Sequence, residues 1–69
     1  MLNERIKQAR IEKNMTQAQL ARVLGISQPA IWKIENNETE LTVNRLFAIA
    51  EALGVDAEAL IARDDLIPA

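Results

Sequence analysis

The chain has 69 residues, a formal net charge of −2, and a composition that is 49% hydrophobic but only 3% aromatic. Such a length can bury one aliphatic core, so a single small domain is expected. There is no cysteine and no histidine, which excludes disulfides, thiolate nucleophiles, imidazole bases and the usual zinc ligands; neither a metal nor a cofactor is expected.

Five helical segments follow in chain order, with no convincing strand. In the first, Leu2, Ile6, Ala9 and Lys13 share a face, with Arg10 beside them and Ile11 opposite. Asn14 ends it as a left-handed cap. The second is announced by Thr16 and, three residues on, Gln19. This is the capping-box spacing, in which the threonine oxygen accepts an orphan amide and the glutamine reaches back. Leu20, Ala21 and Leu24 form its inner stripe, and Gly25 closes it where positive φ is needed.

Ser27 is the N-cap of the third segment, and Pro29 is tolerated in its first turn because no intrahelical amide is required there. The fourth begins after Thr42, carries Leu46, Ile49, Ala50 and Leu53 inward, and stops at Gly54. Asp56 caps a short fifth helix with Leu60 and Ile61 inward. The fold class is therefore all-α, a compact five-helix bundle. A domain over 1–63 and a short tail over 64–69 are expected.

The third segment carries two faces. At about 100° per residue, Ala30, Ile34 and Ile31 form a compact apolar arc that belongs to the core. Gln28, Trp32, Pro29 and Lys33 form a second continuous arc pointing outward, with Glu35 on its border. Solvated helix faces usually carry Glu, Lys and Gln, so this mixture reads as a contact surface; the bland alternative has Trp32 covering a core edge. Only Gly25, Ile26 and Ser27 separate the second and third helices. So short a turn makes them cross steeply, as in a helix-turn-helix over 16–36, with small Ala21 at the closest approach.

Charge is lopsided along the chain. Residues 1–33 hold six bases against two acids, a balance of +4, and residues 34–69 hold two bases against eight acids, a balance of −6. The basic half contains the outward arc, as a surface approaching phosphate should. A helix-turn-helix presents the first turns of its second helix to the major groove of double-stranded DNA. There Gln28 can pair both amide heads with adenine and Lys33 can donate to guanine acceptors. The first amides of the second helix, with Gln17 beside them, suit a phosphate.

The stretch "TQAQLARVLGISQPAIWKIENN" resembles the helix-turn-helix of the phage-repressor and Cro-like family of bacterial regulators, the XRE family. The leading "RIKQARIEKNMTQ" and the later "LFAIAEALGV" extend the resemblance over most of the chain. It implies the lambda-repressor-like arrangement of five helices. It also implies groove-facing roles for Ser27, Gln28, Pro29, Trp32 and Lys33, a phosphate contact for Gln17, and a structural ion pair between Arg10 and Glu35. Arg22 is counted with the phosphate contacts. The segment after the recognition helix, commonly basic in the family, reads "NNETELTV". Backbone amides at Asn36, Asn37 and Thr39 are left to bind phosphate there, and Glu38 and Glu40 lower affinity and make it salt-dependent. Trp32 stands where a small or polar residue is common.

The function expected is a sequence-specific transcriptional regulator, a repressor working as a twofold dimer on a palindromic operator. Its dimer surface would be the C-terminal part, with Phe47, Leu60, Leu66 and Ile67; Phe47 flanks the core arc and suits core or interface. An antitoxin-type regulator is the alternative, docking a toxin or other protein partner through the acidic half or Trp32. No enzyme is expected: Asp64 and Asp65 are adjacent in a tail, and Gly25 and Gly54 are helix stops rather than a phosphate loop. No apolar run approaches the roughly 20 residues of a membrane span, and "MLNERIKQAR" lacks the apolar core of a signal peptide. A cytoplasmic bacterial protein, at the nucleoid when bound to DNA, is expected.

Overall fold

A computed structural model of the chain describes residues 2–61. The tail over 64–69, including Leu66 and Ile67, and the domain limit at 63 lie outside the described residues. The described residues form five α-helices and no strand: α1 Leu2–Glu12, α2 Gln17–Leu24, α3 Gln28–Glu35, α4 Val43–Leu53 and α5 Ala57–Leu60.

Local chemistry starts and stops these helices. Thr16 Oγ1 accepts from the Gln19 amide at 3.0 Å while Gln19 Oε1 accepts from the Thr16 amide at 2.8 Å, the reciprocal capping box. Ser27 Oγ and Thr42 Oγ1 cap α3 and α4 one way only, accepting from the amides of Ala30 and Arg45. Asp56 occupies the N-cap position of α5, but its side chain makes no cap hydrogen bond.

One device ends α1 to α4. A left-handed residue follows each helix, directly at Gly25 (φ 70) and Gly54 (70) and one residue later at Asn14 (56) and Asn37 (57). In each case the next amide reaches back five residues, as Ile26 N does to Ala21 O at 3.0 Å and Glu38 N to Lys33 O at 2.8 Å. These are Schellman closures, which satisfy carbonyls the helix end would orphan. Asn37 was not anticipated in this role.

The core gathers Ile6 from α1, Leu20 and Ala21 from α2, Ile31 and Ile34 from α3, four residues of α4 and Leu60 of α5. Each fully buried Ile or Leu contributes about 1.5–3 kcal/mol. Met15, Ile26 and Val55, the residues following three of the left-handed caps, are half-buried against this cluster and fold each turn inward. The α2–α3 pair packs more extensively than any other, and Ala21 of α2 is buried.

One expectation is corrected, and one pair of alternatives is separated. Leu60 is only 2% exposed and belongs to the core, where α5 folds back on α1 and α4; it is not available to a dimer surface. Phe47, for which core was the competing reading, is 58% exposed. It lies about 40° beyond Val43 on α4, outside the arc of Leu46, Ile49, Ala50 and Leu53 that faces the bundle.

Candidate nucleic-acid interface

The three-residue connection leaves α3 with its inner arc in the core and its outer arc bare. Ile31 and Ile34 are buried and Ala30 is half-buried. Gln28, Pro29 and Lys33 are exposed, and Trp32 keeps 43% of its surface open. Trp32 is thus partly covered by the bundle and partly open on the outer face. Ser27 spends its oxygen on the Ala30 amide at 3.2 Å, which leaves its hydroxyl hydrogen free to donate.

Behind this face lies the Arg10–Glu35 pair. Arg10 Nε donates to Glu35 Oε2 at 2.7 Å and Arg10 Nη2 to Glu35 Oε1 at 3.1 Å, a bidentate fork. The side chains are 10% and 1% exposed. Arg10 Nη1 also donates to the Met15 carbonyl at 2.7 Å, tying the end of α1 to the start of α2. Asn3 Nδ2 donates to the Glu35 carbonyl at 3.2 Å. Among the described residues, no buried side-chain polar atom lacks a partner.

The pair reaches the surface through two glutamines. Gln17 Nε2 donates to Glu35 Oε1 at 3.0 Å, and Gln28 Nε2 donates to Gln17 Oε1. Sequence reasoning placed Gln17 and Gln28 on the interface but not in contact. Both are first residues of their helices, and their proximity depends on how α2 and α3 cross, which linear spacing does not encode.

The segment after α3 behaves differently from expectation. The Asn36 amide donates to Trp32 O at 2.9 Å and the Asn37 amide to Ile34 O at 3.2 Å. Two of the three backbone donors expected to bind phosphate are thus spent closing the helix. Asn36 Nδ2 is also held, by Trp32 O at 2.8 Å. What remains is the Asn37 side chain and exposed Thr39, next to exposed Glu38 and Glu40. Arg22 is exposed on α2. Among the described residues, no helix is long and apolar enough to cross a membrane.

A helix-turn-helix family model matches residues 6–60. The chain is 39% identical over 64 residues to the HTH-type transcriptional regulator RamB of Mycobacterium tuberculosis, covering 93% of this chain but 14% of that protein. It is 33% identical over 66 residues to the immunity repressor protein of Bacillus phage phi105, covering 96% of this chain and 46% of the repressor. Against the control protein C.SmaI of Serratia marcescens, identity is 30% over 66 residues, covering 96% and 79%. The chain thus spans well under two thirds of the first two relatives. The solution structure of the DNA-binding domain of the P22 c2 repressor superposes with a TM-score of 0.83 at 33% identity, over 93% of this chain and 84% of that one. The crystal structure of the P22 c2 repressor with a synthetic operator gives 0.78 at 33% identity, over 88% and 92%. With its five helices, its tight α2–α3 turn and its exposed α3 face, the chain belongs to the helix-turn-helix family, as a DNA-binding domain of the phage-repressor and Cro-like (XRE) type.

Proposed function

We propose that the chain is a sequence-specific transcriptional repressor that binds double-stranded DNA as a twofold dimer on a palindromic operator. The observation that carries this reading is the bare outer arc of α3, with Gln28, Pro29, Trp32 and Lys33 exposed at the exit of a three-residue turn. Laid in a major groove, Gln28 and Lys33 read base edges, Trp32 and Pro29 offer apolar surface to thymine methyls, and Ser27 donates from the rim. Gln17, Arg22, Asn37 and Thr39 face phosphate, which sets position without reading sequence. The chain acts by occupying promoter DNA in a bacterial cytoplasm and performs no chemistry.

A single domain covers few base pairs, so two copies are paired with recognition helices about 34 Å apart. Phe47 and Val43, exposed one turn apart on α4, are the surface proposed for that pairing. The acidic balance of residues 34–69 and the exposed part of Trp32 support, as second reading, an antitoxin-type regulator that docks a basic protein through one of these surfaces.

Selection from a pool of random duplex DNA, at low and at moderate salt, tests the reading. A palindrome with half-sites one helical turn apart is the expected product. Weak binding without sequence enrichment, lost as salt rises, would reject it and turn the search to a protein partner.

A further inference from the structure

We propose that Glu35 is a positioning residue for base recognition: through Gln17, it fixes which end of the Gln28 amide faces the groove. The inference rests on the DNA-reading role proposed above, and it assigns to the buried ion pair a task beyond joining α1 to α3.

The argument follows hydrogen-bond polarity. A guanidinium only donates and a carboxylate only accepts. Arg10 donates to both oxygens of Glu35, and Glu35 Oε1 is left to accept from α2. Gln17 must therefore turn its NH2 inward, which leaves its oxygen toward α3. Gln28 can meet that oxygen only with its own NH2, as observed. A charged pair that is nearly inaccessible to solvent thus sets the direction of an exposed amide two bonds away.

The remaining inventory of Gln28 follows. One hydrogen of its Nε2 is spent on Gln17, leaving one N–H and the carbonyl oxygen. Adenine presents one acceptor, N7, and one donor, N6–H2, in the major groove, whereas guanine presents two acceptors, N7 and O6. An amide with a single N–H left satisfies adenine in full. Against guanine it sets its oxygen toward O6. Released from Gln17, the same side chain can rotate and offer its NH2 to guanine. The relay therefore selects against guanine more than it adds attraction for adenine.

The test measures the adenine-over-guanine preference at the base pair read by Gln28, on the operator selected by the unaltered protein. Two variants are compared. Gln17→Met keeps the shape of the side chain and removes both hydrogen bonds. Arg10→Met/Glu35→Met removes the anchor while leaving no buried charge unpaired, a replacement that protein cores commonly tolerate. The preference should fall by about tenfold in each; affinity for scrambled duplex should be unchanged in the double variant, and in Gln17→Met should fall only by the loss of one phosphate contact, less than the loss on the operator. In the free protein, the side-chain amide proton signals of Gln28 should move in the NMR spectrum of both variants. A full preference retained in Gln17→Met overturns the proposal, as does an equal loss on every sequence, which would make Gln17 a phosphate contact only. If the double variant does not fold, Gln17→Met decides alone. Failure of the unaltered protein to select any sequence would instead reject the DNA-reading function itself, and this inference with it.

Discussion

Arg10 and Glu35, 25 residues apart, meet in a two-pronged ion pair at 2.7 and 3.1 Å, with the glutamate side chain 1% exposed. Breaking one side of such a pair leaves an uncompensated charge in a nearly dry site. Arg10→Ala should therefore lower stability by about 3–5 kcal/mol, whereas replacing both members by methionine should be close to neutral or stabilising. Urea denaturation of the two variants separates these outcomes. A mild effect of Arg10→Ala would mean that water reaches Glu35 and that the pair is not a structural anchor.

The Gly25 turn sets the spacing of α2 and α3, and its cost can be isolated. A Cβ built at Gly25 meets nothing within 4 Å, so only the backbone, at φ +70, opposes a side chain. Gly25→Ala should cost about 1–2 kcal/mol, the penalty of a left-handed residue, and Gly25→Asn less. The chain itself uses asparagine in that conformation at positions 14 and 37. Thermal denaturation that ranks alanine equal to asparagine here would indicate a hidden steric clash in place of backbone strain.

What could be read from sequence was whatever acts over three to five residues. The capping box of Thr16 and Gln19, the caps at Ser27 and Thr42, and the stops at Asn14, Gly25 and Gly54 are local bargains between neighbours, and the residue types announce them. The arcs of α3 followed for the same reason. Asn37 escaped notice because asparagine permits the left-handed region without requiring it. Phe47 sat at the edge of an apolar arc, and periodicity alone does not say where a neighbouring helix stops covering it. Leu60 reads from sequence both as inward and as part of a dimer surface, because a four-residue helix has too little length to show one face; packing of α5 on α1 and α4 buries it. The Gln17–Gln28 contact lies furthest from sequence, since it requires two helix starts to be brought together in space.

Phe47 offers a direct check on the proposed pairing surface. At 58% exposure, with Val43 at 66% one turn before it, it contributes little to the fold of one copy. Phe47→Ser should change the stability of the isolated domain by no more than about 0.5 kcal/mol, the range of ordinary surface substitutions. It should also shift the monomer–dimer equilibrium toward monomer. Sedimentation equilibrium across a range of concentrations measures the second effect, and denaturation of the monomer at high dilution the first. If dimerisation survives the substitution unchanged, the pairing surface lies elsewhere and α4 is free for another partner.

Lys33 and Arg22 are both exposed cations, yet the proposed interface gives them opposite signatures. Lys33 stands on the outer arc of α3, where its ammonium reaches guanine acceptors in the groove. Lys33→Ala should weaken operator binding by about 1–3 kcal/mol and relax the preference at one base pair, with scrambled DNA little affected. Arg22 stands on α2, which lies against the backbone when α3 enters the groove. Arg22→Ala should weaken binding to operator and scrambled duplex alike and reduce the slope of log affinity against log salt by about one. The slope is the decisive quantity, because each phosphate contact releases counterions whatever the sequence. Titrations of both variants at several salt concentrations, on both duplexes, give all four numbers. Should Lys33→Ala show the uniform loss and the reduced slope, its ammonium touches phosphate, and base reading falls to Gln28 and the apolar rings beside it.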